Sequence, residues 1–271
     1  MTVLLGELGI NFNGDYPTLI QMSDLALDYM DYIKIQMRTP RLCVPKDQWD
    51  KPREWFDGTP MTYIEYKEKI EMGDEELDKW FDKYDGRAFA SVWDIPSLER
   101  LEKYKPPFIK IPSAMLTNSD LINASIDTGI PIILSSGMSE IYEIDAAMKL
   151  FPKWYNVILM HCNSSYPAKD EETDLLAMKS LRDRYSVPVG FSSHSPSPYP
   201  SLYAMVLGAW GIEVHMTLDR SMKGTDQSAS LEWPALSLIS RERSRIPQLL
   251  GSSVKRVYAS ELPSRKKLRG Y

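Results

Sequence analysis

The chain has few histidines, fewer cysteines and no long apolar run. Two cysteines, Cys43 and Cys162, are too few for a disulfide framework, and neither belongs to a CxxC pair. No stretch approaches the roughly 20 apolar residues that a bilayer-crossing helix needs. The opening "MTVLLGELGI" reaches the charge of Glu7 after very few apolar residues, so no secretory signal is expected there. These absences make a reducing, cytoplasmic setting without membrane contact the simplest expectation. Excess basic charge is missing as well: the net charge of -5 argues against nucleic acid as the main partner, although a local anion pocket remains open. No GxGxxG follows the first apolar run, and there is no internal repeat or low-complexity tract.

What is present is a series of eight short apolar runs, at 2–10, 31–37, 87–94, 107–114, 131–138, 156–163, 186–194 and 210–218. Most are rich in Ile, Val, Leu or aromatic residues and follow a Pro, Gly, Asp or Asn. Between most of them lie helix-length segments with a 3.6-residue period, such as "PTLIQMSDLALDYM" and "SEIYEIDAAMKLF", the latter with Ser139 as its expected N-cap. Eight strands alternating with helices predict a (β/α)₈ TIM barrel of class α/β, and 271 residues suit one such unit across 1–271. A doubly wound open sheet is the structural alternative. The interval 38–86 departs from the rhythm. Its Pro- and Trp-rich first part, 38–60, is expected to be a long loop over the barrel mouth, followed by two helices with a Gly-Asp break.

Each run starts apolar and ends polar. The late residues are Glu7 and Asn11, Lys34 and Gln36, Ser91 and Asp94, Lys110 and Ser113, Ser135 and Ser136, His161 and Asn163, Ser192 and His194, and Glu213 and His215. In a parallel barrel all strand C-termini share one face, where active sites of this fold sit. Buried lysine or glutamate is costly unless paired, so their convergence on one rim is read as a site. Alternation puts Ser192 with His194, and Glu213 with His215, on common faces. Imidazoles on neighbouring strands, about 4.8 Å apart, can share one ion. Two histidines with water or substrate oxygen would accept Mn²⁺, Zn²⁺ or Fe²⁺. Taken singly, each histidine more often fills a structural role than a ligand's, and His161 keeps that reading. Lys34, Ser91, Lys110, Ser113, Ser135, Ser136, Ser164 and Ser192 together suit a phosphate or carboxylate, although any one serine also serves as a strand-end cap.

The stretches "GELGINFNGD", "YIKIQ", "KIPSAMLTN", "PIILSSGM", "LMHCNSSYPA", "VGFSSHS" and "GIEVHMTLDRSMKGTD", then "SASLEW", resemble the sialic acid synthase family in order and spacing, from about residue 3 to 233. The resemblance implies a barrel enzyme that condenses phosphoenolpyruvate with an amino-sugar aldehyde such as N-acetylmannosamine, releasing phosphate and a nine-carbon 2-keto acid. It implies metal ligation by His194 and His215, with Mn²⁺ the expected ion. Phosphoenolpyruvate contacts fall to Lys34, Ser91, Lys110, Ser113, Ser135 and Ser192, and sugar contacts to Gln36, Tyr166 and Asp226. Glu7 takes an acid–base or orienting role, and Glu7, Lys34 and Lys110 form the expected catalytic set.

The chain also departs from the family pattern. Met115 stands where a glutamate is usual, Phe12 where histidine is, and Ser193 where aspartate is. The family's C-terminal antifreeze-like domain, which reaches over a partner's barrel, would follow Tyr271, and its N-terminal extension would precede Met1; neither is in this sequence. A homodimer is a possible assembly, and the 38–60 loop with Trp49 and Trp55 could cover the site or merely pack locally. Two other readings stay open. One is an aldolase or lyase on the same scaffold, whose Schiff-base version needs Lys34 or Lys110 with a lowered pKa. The other is a sugar-phosphate binder that has lost its chemistry, which Met115 would favour. The basic segment Lys255 to Arg269 reads as a solvated last helix.

Overall fold

A computed structural model describes residues 2–270. Ten strands form: β1 (Val3–Gly9), β2 (Tyr32–Met37), β3 (Pro52–Glu54), β4 (Pro60–Thr62), β5 (Ala88–Val92), β6 (Ile109–Ile111), β7 (Ile132–Ser135), β8 (Val157–His161), β9 (Val189–Ser193) and β10 (Gly211–His215). Eight of them close a parallel barrel in the order β1-β10-β9-β8-β7-β6-β5-β2, and each lies inside one of the eight apolar runs. The TIM barrel is therefore the fold, and the open-sheet alternative is excluded because β1 pairs with both β10 and β2.

Alternation along the strands builds two cores. Outward residues such as Leu4, Ile33, Ala90, Ile111 and Leu134 meet the helix ring in one large apolar cluster. Inward residues Leu5, Phe89, Ile133, Ile158 and Met160 plug the lower barrel, with Val3, Tyr32, Phe108 and Trp210 packed against them. Each such fully buried side chain contributes about 1.5–3 kcal/mol. Filling is tight: a Cβ on Gly190 would lie 2.5 Å from Met160 Sδ and 2.6 Å from the Gly211 carbonyl oxygen, so β9 needs glycine at that height. The plug sets the floor on which the next inward layer rests.

Several helices start where short polar side chains cap them. Asp15 accepts from the Thr18 N–H ahead of helix Tyr16–Leu27, and Asp94 accepts from the Ser97 N–H ahead of Ile95–Glu102. Thr62 and Glu65 form a capping box for Tyr63–Ile70. The helix following β7 spans Ile141–Met148 and is capped by Glu140, not by Ser139. Ser139 instead donates its hydroxyl to the Gly137 carbonyl, which closes the preceding turn and leaves the cap to the next residue.

The interval 38–86 is more ordered than a loop. A short helix Pro40–Cys43 and the antiparallel hairpin β3–β4 precede the two expected helices, Tyr63–Ile70 and Asp74–Lys83. Trp55, Phe56 and Met61 pack on a small core of Ile10, Tyr66 and Ile70. Trp49 donates to the Val44 carbonyl at 2.9 Å. Both tryptophans are thus used in local packing. Helix Leu262–Arg269 is exposed, as its basic composition predicts. Among the described residues no helix is long and apolar enough to cross a membrane.

Candidate active site

Directly above the apolar plug, the inward positions turn polar. A cleft of about 590 Å³ at the C-terminal ends of the strands is lined by Glu7, Lys34, Gln36, Ser91, Lys110, Ser113, Ser135, Ser164, Tyr166, Ser192, His194 and His215. Twelve of the fourteen residues expected from the sequence therefore meet in one place. Trp93, Pro112, Ala114, Met138, Cys162 and Glu213 complete the wall.

Four buried charges form its floor. Lys34 Nζ lies 2.6 Å from Glu7 Oε2 and 3.7 Å from Glu213 Oε1, and Lys110 Nζ lies 2.8 Å from Glu213 Oε2. Gln36 Nε2 donates to Glu7 Oε1 at 3.2 Å, and Ser192 Oγ donates to Glu213 Oε1 at 3.0 Å. Burial works against the charge of Lys34, yet Glu213 and Glu7 outweigh it and raise its pKa. Burial likewise opposes the Glu213 carboxylate, but Lys110 and then Lys34 hold its pKa well below the usual range. A Schiff-base lysine needs a neutral amine. Lys34 is held in the opposite state, and Lys110 is ion-paired, so the Schiff-base reading loses its support. Glu213 was read in the sequence only as a polar strand end. Its role as the link between both lysines becomes visible once the barrel closes.

The two imidazoles stand on this floor. The β9–β10 register pairs Val214 with Ser193, placing His194 and His215 at equal height. Their rings are 5.2 Å apart and inclined by 65°. His194 Nδ1–H donates to the Asn163 carbonyl, which leaves Nε2 as the lone-pair nitrogen; Nε2 accepts from the Tyr166 hydroxyl at 2.8 Å. Burial, and then the neighbouring His215, lower the His194 pKa to about 3, so the ring is neutral at pH 7. His215 Nδ1 is buried without a hydrogen-bond partner, 4.0 Å from Asp226 Oδ2. Among the described residues no group of three or more His, Cys, Asp or Glu side chains forms a metal cage. Two imidazoles, one with an orphaned nitrogen and the other bonded at Nε2 by a single hydroxyl, nevertheless fit a divalent ion whose other ligands are water and substrate.

A hydroxyl and thiol group lines the opposite side. Ser113 Oγ accepts from the Gly137 N–H at 3.0 Å and lies 3.2 Å from Cys162 Sγ. A Cβ on Gly137 would stand 2.3 Å from Ser164 Oγ and 2.8 Å from both Cys162 Sγ and Ser113 Oγ. Only glycine lets the backbone approach this group so closely.

Two expected residues fall outside the cleft wall. Ser136 turns outward because it follows the inward Ser135 on the strand, and its hydroxyl donates to the Met160 carbonyl at 3.0 Å. It lines a separate cavity with Ser139 and His161. Asp226 stands at the N-cap position of the short helix Gln227–Ala229, with its carboxylate 4.0 Å from His215 Nδ1. His161 bonds the Thr173 carbonyl oxygen at 2.8 Å and keeps its structural role. Of the departures, Phe12 lies in the main core cluster, Met115 is partly buried against it, and Ser193 Oγ accepts from the Ser195 N–H. None of the three faces the cleft.

A model of the NeuB family matches residues 25–255. The chain belongs to the NeuB family. It is 30% identical over 269 residues to N,N'-diacetyllegionaminic acid synthase of Campylobacter jejuni, covering 96% of this chain and 80% of that protein. It is 27% identical to the human N-acetylneuraminate-9-phosphate synthase, over 98% of this chain and 76% of that one. The crystal structure of an N-acetylneuraminic acid synthetase from Leptospira borgpetersenii, in complex with citrate, superposes with a TM-score of 0.84 at 29% identity. That match covers 99% of this chain and 92% of that one. This chain is thus a NeuB-family synthase, a phosphoenolpyruvate-dependent condensing enzyme of nonulosonic acid synthesis. Enzymes of the NeuB family generally use a divalent metal.

Proposed function

We propose that the cleft condenses phosphoenolpyruvate with the open-chain aldehyde of an N-acetylmannosamine-type amino sugar, yielding a sialic-acid-like 2-keto acid and phosphate. The observation that carries the reading is the charge layout. Lys34, Lys110, Glu7 and Glu213 cancel one another, so an incoming polyanion needs further positive charge, and the two imidazoles directly above can hold it. His194 and His215 would hold a divalent ion, Mn²⁺ by preference; when bound, it supplies Lewis-acid polarisation of the aldehyde oxygen.

The protein groups do the rest. Lys34 and Lys110, with Ser91, Ser113, Ser135, Ser164 and Ser192, bind the donor's carboxylate and phosphate and orient its methylene carbon. That carbon bonds to the aldehyde carbon, whose oxygen takes a proton. Water then adds to the enol carbon, the C–O bond to phosphorus breaks, and inorganic phosphate leaves as the ketone forms. Glu7, ion-paired to Lys34 and bonded to Gln36, orients the water and receives its proton. Gln36 and Tyr166 position the sugar, and Asp226 stands at the rim 4.0 Å from His215 Nδ1.

Phosphate release from phosphoenolpyruvate, measured with a panel of amino sugars with and without Mn²⁺, tests the proposal. Release is expected only when sugar and metal are both present. Release with neither, or cleavage of the 2-keto acid without phosphate consumption, contradicts it.

A further inference from the structure

Behind the cleft wall, on the side of His215, lies a group of buried polar side chains that the condensation does not use. Asn11, Thr217, Gln227 and Ser230 are each at most 1% exposed, and none of them lines the cleft. Asn11 belongs to the turn after β1. The other three belong to the segment between β10 and the helix Trp233–Leu250.

The end of β10 is held from several sides. The Met216 N–H donates to the Glu7 carbonyl at 2.9 Å, and the Leu231 N–H donates to the His215 carbonyl at 2.8 Å. Asn11 adds a further tie, because its Nδ2 donates to the Met216 carbonyl at 2.8 Å and to the Ser230 hydroxyl oxygen at 2.8 Å. The Ser230 hydroxyl passes the link on by donating to the Asp226 carbonyl at 2.7 Å. One carboxamide therefore joins the residue after His215 to the residue that holds Asp226. Gln227 braces the same junction: its Nε2 donates to the Asn11 carbonyl at 2.9 Å, and its Oε1 accepts from the Thr217 hydroxyl. Farther out on the loop, Asn13 Nδ2 donates to the Lys223 carbonyl at 2.8 Å, and Lys223 Nζ donates to the Phe56 carbonyl of the insertion at 2.9 Å.

What the tie controls is a distance. Asp226 Oδ2 lies 4.0 Å from His215 Nδ1, just beyond hydrogen-bond reach, and that nitrogen is buried without a partner. At this separation a loop shift of about 1 Å decides whether carboxylate and imidazole touch. The Asn11 amide is not free to turn over, because a flipped amide would set Oδ1 against the Met216 carbonyl oxygen. Its Oδ1 is itself buried without a partner, a penalty that an apolar side chain would avoid. Asn11 is thus a poor residue for packing and a good one for fixing two groups at once.

We propose that Asn11 is a positioning residue for the acceptor half of the site, where its carboxamide sets Asp226 against His215. Ser230 relays the hold and Gln227 braces it. The kinetic consequence rests on the condensing reading above; the geometric one does not.

Long-range proton–nitrogen NMR of the imidazoles tests the geometry without substrate or metal. The chain has three histidines, so His194→Ala and His215→Ala assign the ring signals. Asn11→Ala should shift the His215 ring signals and leave those of His161, which has its own partner in the Thr173 carbonyl, in place. In turnover, Asn11→Ala should raise KM for the sugar about tenfold, the equivalent of one or two lost neutral hydrogen bonds, with KM for phosphoenolpyruvate little changed. In an Asp226→Ala background most of that effect should vanish, because the group being positioned is gone. Should Asn11→Ala not fold, Ser230→Ala cuts the same relay and carries the same expectations. Unmoved His215 signals, an equal rise in both KM values, or an effect that persists in full without Asp226 overturns the proposal. A wild type that turns over no sugar contradicts the condensing reading, while the ring signals still decide the role of Asn11.

Discussion

Lys110 and Glu213 meet at 2.8 Å across the barrel, although β6 and β10 are separated by three strands in either direction around it. The contact spans the full width of the interior. It joins two residues 103 positions apart and makes Glu213 the partner of both active-site lysines.

Replacing that carboxylate removes the counter-charge of buried lysines. Glu213→Gln should destabilise the protein by about 3–5 kcal/mol, because an uncompensated buried ammonium remains. Urea unfolding of the purified variant measures this, and phosphate release should fall with it. Lys110→Met should cost a comparable amount, and the double variant should cost less than the sum.

The same network sets a pH window for stability. The folded Lys34 pKa lies above 10.5, so its contribution is complete below 10.5 and is lost as pH rises through the higher folded value. The folded Glu213 pKa lies below 4.5, so its contribution is complete above 4.5 and is lost as pH falls through the lower folded value. The stability difference between wild type and Glu213→Gln should therefore be flat between about pH 5 and 10 and shrink beyond either edge. Urea midpoints across that range check it.

Gly137→Ala should damage donor binding more than stability. The new methyl would press on Ser113, Cys162 and Ser164, three flexible side chains that can rotate away at the expense of the oxyanion pocket. KM for phosphoenolpyruvate should rise about tenfold, the effect of losing one or two hydrogen bonds to a charged group. An unchanged KM would remove this corner from the donor site.

Tyr166→Phe should tighten metal binding. The Tyr166 hydroxyl occupies the lone pair of His194 Nε2, and an entering ion has to displace it. Removing one such hydrogen bond, about 1 kcal/mol, corresponds to roughly fivefold tighter Mn²⁺ binding by calorimetry.

Much of this site is legible in the sequence because the barrel imposes a simple rule: alternate residues near the end of each strand face one mouth. That rule places Lys34 with Gln36, Ser192 with His194, and Glu213 with His215 in the cleft. It also explains where reading along the chain fails. Ser135 and Ser136 are adjacent, so both cannot point inward, and Ser136 turns to the Met160 carbonyl. Asp226 lies on an irregular segment without alternation and stops at the rim. Met115, where the family pattern has a glutamate, sits in the short helix Ser113–Met115, partly buried against the main core cluster and outside the cleft wall. The ion pairs of Glu213 depend on residues brought together only by closure. Trp93, two residues past Ser91, continues the inward alternation of β5 and completes the cleft wall.

The most direct test of the account is a Mn²⁺ titration, by calorimetry or electron paramagnetic resonance, of wild type, His194→Ala and His215→Ala. One ion per chain is expected for wild type, with loss of binding in each variant while the unfolding transition stays cooperative. Stoichiometric Mn²⁺ binding that survives both substitutions would contradict it.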